Sequence, residues 1–153
     1  MLKQEYQELF HFENLPEYAA HMYDSMEYLV KLNDEGKFNT DFKEDNLHYI
    51  YHTPCHLNVQ AIGLPTLELL PLVKGLKIEE ADAGCCGLSG SYGFKEDKHD
   101  IAMKIGSRLF NRIKDSQADL GVSECGMCRL QMETGSGVKA VHPLTILRKA
   151  YGL

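Results

Sequence analysis

Two cysteines stand side by side between glycines, Gly84-Cys85-Cys86-Gly87, and the run continues Leu88-Ser89-Gly90-Ser91-Tyr92-Gly93. Consecutive residues of a regular strand point to opposite faces, so adjacent thiols reach one centre only where the backbone bends. Glycine permits the bend because, lacking a Cβ, it accepts positive φ. An isolated Cys-Cys pair would read as core filling, since free cysteine is often buried for packing alone. This pair is not isolated. Cys55 lies upstream and Cys125 and Cys128 downstream, giving C-x29-C-C-G-x37-C-x2-C, a pattern that uses all five cysteines of the chain.

An odd cysteine count behind a polar N-terminus argues against a secreted disulfide framework and for a reducing compartment with thiolates free to bind metal. The expected location is therefore cytoplasmic. A net charge of -6 excludes nonspecific nucleic-acid binding as a function. With 44% apolar and 25% charged residues over 153 positions, the composition is that of a soluble domain with a real core. No apolar run approaches the roughly 18 residues of a membrane-spanning helix.

Residues 1–46 read as an N-terminal helical segment and linker, and residues 47–153 as the cysteine-bearing domain. Residues 1–12 show no clear period. Asn14 and Pro16 predict a helix start, and Leu15, Tyr18, Ala19, Met22, Met26, Leu29 and Val30 form one apolar stripe that should end near Gly36. Residues 37–46 are charged and read as an exposed loop. Beyond them, short apolar runs alternate with longer helical ones, the rhythm of βα units. Strands are expected over 47–51, 76–80, 120–123 and 138–141. Helices are expected over 65–73, 98–116 and 125–133, with a last one opening at Pro143. The helix over 98–116 should turn Ile101, Ile105, Leu109 and Ile113 to one face. The predicted fold class is α/β, a small parallel sheet of about four strands flanked by helices.

Each candidate ligand then falls just beyond a strand: Cys55 after the first, Cys85 and Cys86 after the second, Cys125 after the third, His142 after the fourth. In a parallel sheet these strand ends share one edge, the edge where open α/β folds bind ligands. Cys125-Gly126-Met127-Cys128 spaces two thiols to share a metal, near a helix start whose dipole favours thiolates. Gly87, Gly90 and Gly93 bring free amides alongside, and amides that donate to sulfur tune a cluster's potential. Five thiols are one more than a tetrahedral zinc site or a cubane 4Fe-4S cluster takes, so the count alone leaves a spare thiol or an unusual iron–sulfur coordination open. His52 and His56 flank Cys55. With His142 they are read first as local hydrogen-bonding or packing residues and, with Gly87, as candidates to lie beside the centre. Adjacent residues rarely align as nucleophile and base, which weakens Cys55–His56 as a catalytic pair. Lys104, Arg108 and Arg112 recur at helical spacing, which reads first as a solvated face and otherwise as a docking patch for an acidic partner or an anionic membrane.

The cysteine pattern and its surroundings resemble the cysteine-rich CCG domain of anaerobic electron-transfer proteins. The residues that carry the likeness are Tyr51-His52-Thr53-Pro54-Cys55-His56, Thr66-Leu67-Glu68-Leu69-Leu70, Cys85-Cys86-Gly87, Gly90-Ser91-Tyr92-Gly93-Phe94-Lys95, Gly106 through Phe110, Ala118-Asp119-Leu120, the Cys125/Cys128 pair and His142-Pro143. Within that family, which includes heterodisulfide reductase and glycolate oxidase iron–sulfur subunits, the chain is most similar to the C-terminal part of the C subunits of anaerobic glycerol-3-phosphate dehydrogenases. Residues 1–6 resemble the stretch that follows a preceding module's cysteine pair, so the chain is expected to be a C-terminal piece of a longer subunit. The resemblance implies an iron–sulfur electron-transfer role with Cys55, Cys85, Cys86, Cys125 and Cys128 as ligands. The implied cofactor is an iron–sulfur cluster, 4Fe-4S of cubane or noncubane form, with zinc as the alternative. The implied partners are flavin-containing A and B subunits and, indirectly, membrane quinone, with the assembly peripheral on the inner face of the cell membrane. A structural metal module and a thiol catalyst acting on a disulfide are the rival readings.

Overall fold

The apolar runs of the second half pair into a four-stranded sheet in the order β2-β1-β3-β4, with every pairing parallel. The strands are β1 (His48–Tyr51), β2 (Lys77–Glu80), β3 (Leu120–Val122) and β4 (Ala140–Val141). This computed structural model describes Lys3 and residues 5–153. The likeness drawn over residues 1–6 falls partly on residues 1, 2 and 4, outside the described residues. The helices are α1 (Glu5–Leu9), α2 (Leu15–Ala20), α3 (Ser25–Asp34), α4 (Cys55–Asn58), α5 (Pro65–Leu69), α6 (His99–Ser116), α7 (Gly126–Ser136) and α8 (Pro143–Ala150). The fold is α/β, as the βα rhythm predicts. No helix among the described residues is long and apolar enough to cross a membrane.

Alternation along β1 builds the core on both faces of the sheet. Ile50 faces Leu109, Phe110 and Ile113 of α6 and Met132 of α7. Tyr49 and Tyr51 face the opposite way, toward Met26 of α3, Leu69 of α5 and Ile146, Leu147 and Ala150 of α8. A strand buried on both sides in this manner is the signature of a parallel sheet covered by two helical layers. From β1 the chain moves to β2 on one side, then returns to β3 on the other. The strand order therefore reverses between β1 and β3, which opens a crevice beyond their carboxyl ends.

Three expectations are corrected. The single helix expected between Asn14 and Gly36 is two, because Asp24 starts a new one: its side chain accepts from the Met26 N–H at 2.9 Å, and Glu27 reaches back to the Asp24 N–H at 2.9 Å. That reciprocal capping box satisfies amides that a continuous helix would bond internally. The α6 face is also different. Ile101 and Ile105 are exposed, and the buried line is Ala102, Gly106, Leu109, Phe110 and Ile113. Residues 37–46 carry no helix or strand but are not a free loop: Phe38 and Phe42 pack on the core, and buried Asp45 accepts from the Tyr49 hydroxyl and the Lys149 ammonium.

Candidate metal centre

Backbone shape explains why neighbouring cysteines serve one site. In the loop after β2, Gly84, Gly87 and Gly90 have positive φ, as do Asp82 and Ser89. The chain thus turns repeatedly over nine residues where a strand would run straight. Gly87 is constrained in a second way. A Cβ there would run into the Ala102 carbonyl oxygen and stand 2.9 Å from the Gly106 nitrogen, both on α6. Gly106 in turn leaves room for the Cys86 carbonyl and the Phe110 ring. Small residues on the two elements let α6 press directly against the cysteine loop.

The turns divide the vicinal pair between an outer and an inner group of sulfurs. Cys85 is exposed and its Sγ stands 4.0 Å from that of Cys55, the first residue of α4 and also exposed. The Gly87 N–H donates to the Cys85 sulfur at 3.3 Å. Cys86 points inward and is buried with Cys128, each 4% exposed. Their sulfurs and a ring nitrogen of His52 all lie within 4.8 Å of one another. Cys125 stands at the N-terminal boundary of α7 and its thiol interacts with that of Cys128, one turn on. The five thiols therefore gather at the carboxyl edge of the sheet, beyond the ends of β1, β2 and β3.

Electrostatics set the order in which the inner thiols ionise. A hydrogen bond from Cys128 holds the Cys86 thiol well below its ordinary range against the opposing effect of burial, with His52 adding to the depression. Cys128 is pushed up by that same contact and by burial. The shared contact thus moves the two thiols in opposite directions, Cys86 down and Cys128 up. Outside, burial followed by the Cys85 sulfur raises Cys55. A set of soft sulfurs, an inner pair buried and an outer pair open to solvent, is suited to a thiophilic metal or cluster. A cavity of about 620 Å³ lined by Thr53, Asn58, Leu64 and Gly84 opens onto Cys55 and Cys85 and gives the sulfurs an entry path.

The buried polar atoms give an independent test of fit. Among the described residues, the buried side-chain atoms without a hydrogen-bond partner are His52 Nε2, Ser123 Oγ and Arg129 Nε. His52 directly follows β1, Ser123 directly follows β3 and Arg129 lies in α7, so all three come from the elements that carry the cysteines. Each such atom costs about 1–3 kcal/mol, and native structures keep few of them without a functional reason.

The other candidates fall elsewhere. His56 is exposed on α4. His142 caps α8, its Nδ1 accepting the Leu144 N–H at 3.1 Å. Burial, followed by the Arg129 guanidinium, lowers its basicity, while Glu124 works the other way. Arg108 and Arg112 do not form a free patch: Arg108 donates to the Asp82 carbonyl at 3.2 Å, and Arg112 pairs with Glu79. Sequence reasoning missed Glu124. Its carboxylate accepts from the Tyr51 hydroxyl at 3.1 Å and from Thr66, tying β1 and α5 to the loop that presents Cys125. Burial pushes the Tyr51 hydroxyl up, so it remains a donor. The available signal was position: an acid directly before the Cys-x2-Cys pair, at a predicted strand end.

Comparison with known proteins gives the family of the chain. Residues 49–133 match the model of the CCG cysteine-rich domain. The C subunit of the anaerobic glycerol-3-phosphate dehydrogenase of Escherichia coli (strain K12) is 37% identical over 149 residues, covering 97% of this chain and 37% of that protein. The B subunit of the fumarate reductase (CoM/CoB) of Methanothermobacter marburgensis is 31% identical over 84% of this chain and 29% of that protein. A probable glycolate oxidase iron-sulfur subunit of Bacillus subtilis is 35% identical over 67% and 25%. The chain thus spans well under half the length of these relatives. No solved structure matches significantly. With the match running from within β1 into α7 and including every cysteine, the chain belongs to the CCG cysteine-rich domain family.

Proposed function

We propose that this chain is an iron–sulfur electron-transfer module of a multi-subunit oxidoreductase, with Cys55, Cys85, Cys86, Cys125 and Cys128 as its thiolate ligands. The observation that carries the reading is the gathering of five sulfurs, from the segments after β1, β2 and β3, at the carboxyl edge of the sheet. The names of the relatives support it, since they are subunits of a dehydrogenase and a reductase and an iron-sulfur subunit of an oxidase. Bound at these thiolates, a 4Fe-4S cluster supplies reversible one-electron transfer. The protein's part is to hold and tune it. Cys86 and Cys128 keep the inner side dry, and the Gly87 amide offsets charge on the Cys85 sulfur, which raises a centre's potential. Exposed Cys55 and Cys85 leave an outer edge where a redox partner can approach.

The fuller proposal follows the glycerol-3-phosphate dehydrogenase relative. Flavin-containing A and B subunits deliver electrons, membrane quinone receives them indirectly, and the assembly sits peripherally on the inner face of the membrane. A second reading, a structural zinc module that joins subunits, is favoured by the contacts linking Cys86, Cys125 and Cys128 apart from the outer pair. Iron and zinc analysis with electron paramagnetic resonance on anaerobically reconstituted protein separates the two. The iron–sulfur reading expects brown protein with about four irons per chain and a signal on one-electron reduction. Colourless protein with one zinc per chain refutes it.

A further inference from the structure

The geometry points to His52 as the nitrogen donor of the metal centre, binding through a ring nitrogen to an ion that it shares with Cys86 and Cys128. Sequence gives no reason to separate His52 from His56, since both flank the motif, three and one residues from Cys55. The fold separates them. His56 is exposed on α4, whereas His52 is 2% exposed and its Nε2 has no hydrogen-bond partner. Its backbone is fixed by the sheet, the His52 N–H donating to the Val122 carbonyl at 2.8 Å across the β1–β3 seam.

The spacing decides between a ligand and a bystander. A ring nitrogen of His52 and the sulfurs of Cys86 and Cys128 lie within 4.8 Å of one another, and all three residues are buried. A tetrahedral ion with bonds of about 2.0–2.3 Å to nitrogen and sulfur separates its donors by roughly 3.5–3.8 Å. The triangle is therefore of the size that closes on one ion with small side-chain movement. Ligation through Nε2 would also give that buried atom the partner it otherwise lacks. Imidazole beside thiolates suits zinc and iron alike, so the shared ion is either zinc or one iron of a larger centre. The inference rests on these sulfurs holding a metal but not on which metal they hold.

X-ray absorption at the iron and zinc K-edges tests it, on anaerobic full-length chain loaded in parallel with iron plus sulfide and with zinc. We expect imidazole scattering from one histidine in the wild-type protein and in His56→Gln. That scattering is lost in His52→Gln and His52→Ala. If the His52 variants do not fold, wild-type iron protein labelled with nitrogen-15 histidine answers by pulsed electron paramagnetic resonance. A strongly coupled nitrogen that changes with the label, and persists in His56→Gln and His142→Gln, supports ligation. Bound metal with sulfur as the only protein donor overturns the inference and leaves the thiolate centre standing. Imidazole scattering that survives His52→Gln also overturns it. Protein that takes up neither metal overturns both readings.

Discussion

Replacing Gly87 by alanine should damage the protein far more than the same change at Gly90, although both lie in one loop with left-handed backbone, φ +90° and +60°. A left-handed conformation costs an L residue about 1–2 kcal/mol, and both variants bear that cost. At Gly90 nothing lies within 4 Å of the added methyl. At Gly87 the methyl meets backbone atoms of α6, the Ala102 carbonyl and the Gly106 amide, and a helix backbone cannot swing aside as a side-chain tip can. Forcing an extra carbon into such a contact adds about 1–3 kcal/mol, for about 2–5 kcal/mol in all. A domain of this size loses about 2–4 °C in Tm per kcal/mol. Thermal unfolding followed by circular dichroism, with both variants in the same metal-loaded state, should show Gly90→Ala lowered by roughly 2–8 °C and Gly87→Ala by roughly 4–20 °C. Pushing α6 away also displaces Cys86, so Gly87→Ala should load less metal. Equal melting points for the two variants would refute the claim that α6 rests on the cysteine loop.

Asp45 gives a pH signature. Burial pushes its carboxyl up, but hydrogen bonds from Tyr49, Lys149 and the Leu47 N–H outweigh it and hold the group below the usual range. Its contribution is thus complete above the ordinary aspartate pKa of about 3.9 and disappears as pH falls through the lowered folded value. Asp45→Asn should cost about 2–3 kcal/mol near neutral pH and flatten the acid limb of Tm against pH; parallel limbs would count against it. Glu124→Ala leaves the hydroxyls of Tyr51 and Thr66 without their acceptor and should cost about 2–4 kcal/mol in urea unfolding, with a loss under about 1 kcal/mol contradicting the network. In metal-free protein under reducing conditions, iodoacetamide should alkylate Cys55 and Cys85 well before Cys86 and Cys128, as read by peptide mass spectrometry. Uniform labelling would refute the division into outer and inner sulfurs.

How far the sequence could be read depended on whether the relevant force is local. The four strands are legible because each is a short apolar run, and their parallel pairing follows from the helical runs between them. The break before α3 was also present in the letters, as Asp24 and Glu27 at capping-box spacing, but the longer apolar stripe masked it. On α6, hydrophobicity favours Ile101 and Ile105, yet Ala102 and Gly106 are the buried residues. What faces that side is the backbone of a loop nine residues or more upstream, which needs small neighbours rather than greasy ones. The five cysteines were identifiable from spacing. The division between them was not, because it depends on which way two adjacent side chains turn. His52 and Glu124 acquire their roles only through pairings across the sheet, Glu124 meeting a hydroxyl 73 positions away.

Cys86 and Cys128 are members of the apolar cluster beneath α6 and α7 as well as candidate ligands. The same side chains thus act as mortar for one helical layer and, in the proposed function, as anchor for the ion. The layer formed by α3, α5 and α8 contributes no thiol to the site; its buried cluster is apolar side chains and tyrosine. Stripping the ion should therefore loosen the molecule asymmetrically, with amide exchange rising on one side of the sheet while the other stays closed.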